Sequence, residues 1–168
     1  MPSLLCENFV FEWAFASIYQ SIDPQQFGNM RTSSTSHCLV SFLDFLHKNL
    51  QSRKTSLAIA LVDFRKAFDL VDHCTVINKA IALGLPTNLV SWFTDFLSGR
   101  RHAVRYQGLV STFQHLTCSV PQGTKMGPLC FLILINDALM DTPHRWKYVD
   151  DCTVGVSVDN TVPDYSSL

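Results

Sequence analysis

Three aspartates are the residues of this sequence best placed to do chemistry. Asp63 directly follows a nearly continuous apolar run, residues 57–62, and the Asp150-Asp151 pair lies much further along the chain between two short apolar runs. If the strands that carry them are neighbours, the carboxylates converge, and a hard, oxygen-seeking cation such as Mg²⁺ relieves their mutual repulsion. Successive strand residues point to opposite faces, so one member of the pair should be the main ligand and the other accessory. The alternative is that Asp63 is a cap and the pair belongs to an ordinary turn.

The segment V-D-F-R-K-A-F-D, residues 62–69, adds an aromatic ring close to Asp63. Phe68 near a metal site is suited to shaping a pocket for a sugar. The alternative is that Phe68 belongs to the core, with Arg65 and Lys66 as solvated charges.

A second loop, S-V-P-Q-G-T-K-M-G-P-L at residues 119–129, leads into a predicted helix. Gly123 permits close approach of the backbone to a ligand, Gln122 offers both a donor and an acceptor, and a helix start favours an anion. Lys125 adds a positive charge. The same pattern is typical of an ordinary strand-to-helix connection.

Two further stretches are basic. In R-T-S-S-T-S-H, residues 31–37, Arg31 is suited to binding phosphate and the serines to capping the next helix. The stretch G-R-R-H-A-V-R-Y, residues 99–106, is the densest basic patch, with Arg100, Arg101 and Arg105. It predicts either contact with a phosphate backbone or a charged hairpin edge that discourages strand pairing.

The elements that would position these residues follow from hydrophobic periodicity and from Gly and Pro punctuation. The first predicted elements are a buried helix over 4–21, a polar loop over 24–36 and an amphipathic helix over 36–50, whose apolar stripe comprises Leu39, Phe42, Leu43, Leu46 and Leu50. A central buried strand over 57–62 follows, then helices over 74–83 and 86–97 separated by Gly84, and a hairpin of 103–106 with 112–120 about Gly108. The last predicted elements are an apolar segment from Gly127-Pro128 to Met140 and a second hairpin of 146–149 with 152–158. Helices and strands mixed in this order indicate an α+β fold.

Composition limits the class of protein. A chain of 168 residues, 47% hydrophobic and 16% charged, is one folded domain or a substantial piece of one. Its 13 Lys and Arg nearly balance 14 Asp and Glu, so any binding of nucleic acid requires a local patch. The six widely spaced cysteines indicate reduced thiols. No apolar run is long enough for a membrane span and the start lacks the basic residues of a secretory signal, so we expect an intracellular protein of the cytoplasm or nucleus, neither secreted nor membrane-bound.

Taken in order, seven motifs resemble the reverse transcriptase domain of non-LTR retrotransposons of the jockey or LINE-like kind. They cover the chain to about residue 158. The motifs are Q-F-G-N-M-R-T-S-S-T-S-H (26–37), V-D-F-R-K-A-F-D-L-V-D-H (62–73), L-G-L-P (83–86), F-L-S-G-R (96–100), V-P-Q-G-T-K-M-G-P-L-C-F (120–131), I-N-D (135–137) and Y-V-D-D (148–151).

The resemblance implies a partial fingers-and-palm polymerase fold, in which an antiparallel palm sheet is packed with helices. It divides residues 1–158 into a fingers part over 1–55 and a palm over 56–158, followed by a polar C-terminal tail over 159–168. The implied activity is RNA-directed DNA polymerisation, with an RNA template, a DNA primer and deoxynucleoside triphosphates as partners. No oligomeric state is implied.

Residue roles follow from the same resemblance. Asp63 matches the first catalytic aspartate, Asp150 the second and Asp151 the third, and together they would hold two Mg²⁺ ions, for which Mn²⁺ is a substitute. The carbonyl of Phe64 is a further ligand, and Phe68 matches the steric gate that excludes a ribose 2′-hydroxyl.

The remaining matched residues contact substrates. Gln122 and Gly123 match the loop that touches the nucleotide and the template, and Arg31 matches a fingers residue on the triphosphate. Four basic residues are implied contacts of template or primer: Lys125, Arg100, Arg101 and Arg105.

The sequence ends shortly after Y-V-D-D and lacks the family's later palm motifs and thumb, so we expect weak or undetectable polymerisation by this polypeptide alone. One alternative is a retroelement remnant that acts at most as an RNA- or protein-binding module. Another is a small Mg²⁺-dependent phosphotransfer domain of the receiver type. In that class the paired acids come early and a lysine comes late, the reverse of the order found in this chain.

Overall fold

The computed structural model describes residues 2–52, 54–121 and 123–166. Helices and short strands alternate along the chain, which confirms a mixed helix-and-strand fold. The elements are α1 (Pro2–Ile18), a short 3-10 helix (Tyr19–Ser21), α2 (Thr35–Asn49), β1 (Thr55–Asp63), α3 (His73–Ala82), α4 (Thr87–Leu97), β2 (Arg101–His102), β3 (Arg105–Tyr106), β4 (Leu109–Val110), β5 (Gln114–His115), α5 (Met126–Ile135), β6 (Arg145–Tyr148) and β7 (Asp151–Asp159).

These elements form two compact units that interleave along the chain. The helical unit comprises the chain up to Ile22 together with Lys66–Leu134, and the sheet unit comprises Asp23–Arg65 together with the chain from Ile135 onward. The division into fingers over 1–55 and palm over 56–158 stays a prediction.

The sheet unit is built on three antiparallel strands in the order β1-β7-β6. Helix α2 packs on one face of this sheet, where the ring centroids of Phe42 and Phe45 lie 5.1 and 5.0 Å from that of Trp146. Gly155 in β7 makes room for these rings, because a Cβ added there would lie 2.8 Å from an edge carbon of Phe45. The predicted hairpin of β6 and β7 is confirmed, and the structure shows that β7 also pairs with β1.

The prediction that β1 is a central buried strand is wrong. Strand β1 pairs only with β7 within the described residues, and Ile59 and Leu61 are 42% and 81% exposed. An apolar run shows that the side chains of a strand are apolar, but it does not show how many strands pair with it. The length of the run therefore cannot distinguish an edge strand from a central one.

The apolar stripe predicted for α2 does not coincide with the face of the helix that is buried against the sheet. Phe45 is the buried residue of this helix, whereas Leu39, Leu43 and Leu50 are about half exposed. The physical reason is the space above Gly155, which admits the flat aromatic rings and draws their face of the helix to the sheet.

The helical unit contains α1, α3, α4 and α5. Helix α1 buries Ala14, Phe15 and Ile18 but exposes three apolar residues at i, i+4 and i+8, so the expected buried helix is buried on one face only; the exposed residues are Leu5, Phe9 and Trp13. Helix α3 begins where the carboxylate of Asp72 accepts a hydrogen bond from the backbone N–H of Thr75 at 2.7 Å, and it ends before Gly84 at φ +90°. The predicted pair of helices α3 and α4 is confirmed.

Residues 101–115, which we call the arm, form the predicted hairpin around Gly108. Gln107 and Gly108 have φ values of +46° and +81°, as a tight turn between twisted strands requires. The arm has only two-residue ladders, β2 with β5 and β3 with β4, and the predicted strand does not continue to residue 120. Helix α5 ends at Ile135 rather than continuing to Met140.

The described part of the chain contains no helix with the length and apolar character needed to cross a bilayer. All six cysteines are free thiols in the structure.

Candidate active site

The antiparallel pairing of β1 with β7 brings two of the three predicted aspartates together. Asp63 is the last residue of β1 and Asp151 the first of β7, and the two are direct cross-strand partners. Directly opposed residues present their side chains on the same face, within several ångströms of each other. Both are exposed, whereas Asp150 is partly buried in the turn that joins β6 to β7. The pairing therefore places Asp151, rather than Asp150, opposite Asp63.

The turn that carries Asp150 is strained. Val149, a β-branched residue, has φ +59°, in the left-handed region that such residues rarely adopt. The backbone of residues 25–28 lies against it: a Cβ added to Gly28 would lie 2.5 Å from the backbone nitrogen of Val149. Only a glycine at position 28 permits this approach.

The strand before the turn is fixed on the same side by hydrogen bonds. The backbone N–H of Phe27 donates to the carbonyl of Lys147 at 2.7 Å, and the N–H of Lys147 donates to the carbonyl of Gln25 at 2.9 Å. Residues 25–27 thus extend the edge of β6 and lead directly to Gly28.

A buried ionic network also holds β6. The ammonium group of Lys147 is fully buried and lies 2.6 Å from a carboxylate oxygen of Asp23. It also donates to three backbone carbonyls at the end of α5 and just after it, those of Ile135 at 3.2 Å, Asn136 at 2.8 Å and Ala138 at 3.2 Å.

Asp23 is the acceptor at the centre of this network. The guanidinium of Arg145 binds both oxygens of its carboxylate, at 2.9 and 3.0 Å. Burial acts to raise the pKa of Asp23, but hydrogen bonds from Arg145 and Lys147 outweigh it and hold that pKa below its usual value.

The ability of the carboxylates to hold a metal rests on the cross-strand pair. Within the described ranges, no group of three or more His, Cys, Asp and Glu side chains lies close enough together to hold a metal ion. Asp63 and Asp151 nevertheless provide two opposed carboxylates, and no cationic side chain among the described residues forms an ion pair with either. Like charges directly opposite destabilise a strand pair, and an oxygen-seeking divalent cation relieves that repulsion, so the donors fit such an ion.

The thiol of Cys152, the residue after Asp151, does not compete as a metal ligand. Cys152 follows Asp151 with its side chain on the opposite, buried face of β7. Burial raises the pKa of Cys152 to about 11, so it is not a competing thiolate ligand at neutral pH.

Phe68 and the loop after Val120 line an open cavity in the helical unit. The cavity has a volume of about 360 Å³ and is lined by Phe68, Val120, Pro121, Gly123, Thr124, Gly127 and Pro128. The ring centroid of Phe68 lies 5.0 Å from that of Phe131, and its carbonyl accepts a hydrogen bond from Val120 N–H at 3.2 Å. Phe68 therefore packs on Phe131 and also lines the cavity, and its role toward a sugar stays a prediction.

The loop that lines this cavity is held by hydrogen bonds at its helix end. The hydroxyl of Thr124 donates to the carbonyl of Pro121 at 2.7 Å, and a carboxylate oxygen of the buried Glu7 accepts from the N–H of Met126, the first residue of α5, at 3.1 Å. Gly123 has φ +76° and is exposed at the tip of the loop. The predicted residue Gln122 lies outside the described residues.

The predicted basic residues fall into different environments. Arg100 lies over the ring of Phe96 at 4.2 Å, and Lys125 donates to the side-chain amide of Asn8. Arg101 and Arg105 are exposed on the arm, and Arg31 is exposed in a turn of the sheet unit.

The chain is similar to known proteins of one family. Residues 10–164 match the family described as "Reverse transcriptase (RNA-dependent DNA polymerase)". The "Probable RNA-directed DNA polymerase from transposon X-element" of Drosophila melanogaster is 32% identical over 122 residues, covering 70% of this chain and 13% of that protein. The "RNA-directed DNA polymerase from mobile element jockey" is 26% identical over 144 residues in Drosophila melanogaster, covering 86% of this chain and 16% of that protein. In Drosophila funebris it is 28% identical over 141 residues, covering 82% and 15%.

This chain therefore spans no more than 16% of the length of these relatives. The match covers both the loop of the cavity and the strands that carry Asp63 and Asp151, and it favours neither the retroelement-remnant nor the receiver-type alternative. The resemblance to non-LTR retrotransposon reverse transcriptases is confirmed, and the chain belongs to the reverse transcriptase (RNA-dependent DNA polymerase) family.

Proposed function

We propose that this chain carries the nucleotidyl-transfer centre of an RNA-directed DNA polymerase, within a partial fingers-and-palm fold. Its substrates are deoxynucleoside triphosphates, which are added to the 3′-hydroxyl of a DNA primer on an RNA template. The observation that carries the proposal is the cross-strand pairing of Asp63 with Asp151, which lies at the turn end of a hairpin whose turn holds Asp150.

The proposed metal ligands are the carboxylates of Asp63, Asp150 and Asp151, with the carbonyl of Phe64 as a further donor. When bound, two Mg²⁺ or Mn²⁺ ions supply activation of the primer hydroxyl and stabilisation of charge on the leaving pyrophosphate. The paired exposure of Asp63 and Asp151 supports this assignment, since these carboxylates stay accessible while neighbouring residues of β7 are buried.

The proposed nucleotide pocket is the cavity beside Phe68. Its volume of about 360 Å³ lies within the ordinary range for small-molecule sites. In this pocket Phe68 excludes a ribose 2′-hydroxyl, and Gly123 and Gln122 contact the nucleotide and template. The packing of Phe68 on Phe131 supports a rigid gate, because a ring held on one side cannot turn away from a larger sugar.

The proposed contacts with phosphates are Arg31 on the triphosphate and the arm on template or primer. Arg101 and Arg105 are exposed on the arm, which also carries the rings of Tyr106 and Phe113, 70% and 65% exposed. Cations interleaved with exposed rings are typical of surfaces that bind single-stranded nucleic acid. Arg100 and Lys125, which contact Phe96 and Asn8, are the weaker members of this set.

Metal binding tests the proposed centre directly. Titration of the chain with Mn²⁺, followed by the electron paramagnetic resonance of the free ion, should detect binding that weakens at least tenfold in Asp63→Asn and in Asp151→Asn, because each removes one of two opposed carboxylates. Asp95→Asn, at an exposed aspartate of α4, is the matched control and should bind as the wild type does. Equal affinity in the wild type and Asp63→Asn would contradict the proposal.

Primer extension on an RNA template with Mg²⁺ tests the reaction. Incorporation should be lost in Asp63→Asn and in Asp150→Asn and be retained in Asp95→Asn. Incorporation that survives Asp150→Asn would contradict the assignment of Asp150.

A further inference from the structure

The feature of the sheet unit that the proposed chemistry does not use is the fully buried lysine of β6. Lys147 lies directly before Tyr148 and is 0% exposed. Transferring an ammonium group from water to a protein interior is costly unless the group is paired and fully hydrogen-bonded. A lysine at this buried position therefore needs a reason, namely contacts that an apolar side chain could not make.

The contacts of Lys147 give that reason, because they join three separate segments. Its ammonium group binds Asp23, which precedes the loop of residues 25–28, and three carbonyls of residues 135–138. Its own N–H and carbonyl pair with Gln25 and Phe27. No apolar side chain satisfies three carbonyls that converge on one point.

The same loop supports the strained turn. Gly28 follows the paired residues directly and lies against Val149, whose φ of +59° persists only if its surroundings over-determine it. The path from the ammonium of Lys147 to the turn is therefore short and consists of described contacts: Asp23, the backbone pairs of residues 25–27, Gly28 and Val149.

We propose that Lys147 and Asp23 are positioning residues that fix the turn carrying Asp150 and Asp151 by seating the loop of residues 25–28 against it. This inference rests on the proposed function, which gives the two residues their purpose: they hold Asp151 opposite Asp63. Neither residue touches the substrate or the metal ions.

Lys147→Met is the informative substitution. It removes the ammonium but leaves no unpaired carboxylate, because Arg145 still binds both oxygens of Asp23. The matched control is Lys48→Met, which breaks a Lys–Asp pair of the same length, 2.6 Å to Asp44, on the exposed surface of α2.

Hydrogen exchange measured by mass spectrometry on the whole chain tests the inference. We expect amide exchange in peptides spanning residues 148–151 and 25–28 to be at least tenfold faster in Lys147→Met, with peptides of α3 and α4 unchanged, and no change in Lys48→Met. Should Lys147→Met fail to fold, Asp23→Asn, which keeps the size of the side chain, should show the same local pattern. Wild-type exchange in the turn of a folded variant would overturn the inference.

A second readout separates positioning from general stabilisation. Under conditions in which both proteins are folded, Mn²⁺ should bind Lys147→Met about tenfold more weakly than the wild type, whereas a purely structural role would lower the denaturant midpoint and leave that affinity unchanged. If the wild type itself binds no Mn²⁺, the proposed function fails, and the exchange pattern alone then decides whether Lys147 fixes the turn. The two failures are thus distinguishable.

Discussion

The aspartates of the sheet unit fall into two physical classes. Asp63 and Asp151 are exposed, opposed to each other and joined to no cationic side chain among the described residues, whereas Asp23 is buried and binds Arg145 and Lys147. The first class keeps its charge available for a ligand. The second uses its charge within the fold.

The sequence predicts the first class and not the second. Asp63 ends an apolar run and the Asp150-Asp151 pair separates two others, so local pattern places all three at strand ends. Asp23 and Lys147 lie far apart in the chain, and only folding brings them together. The one available signal was a lysine inside the apolar stretch W-K-Y of a predicted strand.

The depressed pKa of Asp23 predicts a particular dependence of stability on pH. Because its folded pKa lies below the unfolded value of about 4, Asp23 contributes stability that is fully present above that value and is lost as the pH falls through the folded pKa. Asp23→Asn should therefore lower the free energy of unfolding by about 3 kcal/mol at pH 7, with the difference shrinking below about pH 4. Urea unfolding of both proteins between pH 7 and pH 3 measures it.

Asp159→Asn is the control for this prediction. Hydrogen bonds from Thr161 also hold the pKa of Asp159 below its usual value, but that carboxylate is exposed and its effect should be small. A difference between Asp23→Asn and the wild type that stays constant from pH 7 to pH 3 would contradict the assignment.

At the scale of elements, the sequence predicts where helices and strands lie better than it predicts which of their faces are buried. Caps and periodicity are local, so α2, α3, α4 and the β6–β7 hairpin are found where the sequence predicts them. The buried face of an element depends on its partner, which is why the sequence predicts neither the exposure of β1 nor the face of α2 that is buried. Gly155 is the residue that determines the second case, since it admits the rings of Phe45 and Trp146.

The fit of α2 on the sheet can be tested at Gly155. Gly155→Ala places a Cβ 2.8 Å from an edge carbon of Phe45, so a buried ring must move and the free energy of unfolding should fall by about 1–3 kcal/mol. Ser157→Ala, at an exposed position on the same face of β7, should change stability little. Urea unfolding measures both.

A double mutant identifies the cause. Phe45→Leu removes the ring that the new methyl group meets, so Gly155→Ala should cost less in that background than in the wild type. Equal costs in the two backgrounds would show that Phe45 is not the obstacle.

At the scale of the whole molecule, a net charge of −1 conceals a marked separation of charge along the sequence. Residues 96–136 contain no Asp or Glu, but they include Arg100, Arg101, Arg105 and Lys125. The near balance of total charge therefore says nothing against an anionic partner, because the positive charge is concentrated in one stretch. Two of these cations, Arg101 and Arg105, are exposed on the arm.

This separation predicts how binding of RNA responds to salt. Each phosphate neutralised on a single strand adds about 0.7 to the slope of log K against log salt concentration, so Arg101→Gln with Arg105→Gln should reduce that slope by about 1.4. The control pair, Lys48→Gln with Lys54→Gln, removes two exposed lysines of the sheet unit and should leave the slope unchanged. Fluorescence anisotropy with a labelled single-stranded RNA between 50 and about 300 mM salt measures it. An unchanged slope in the arm variant would show that the arm binds no phosphate, and equal losses in both variants would show that binding follows total charge rather than the arm.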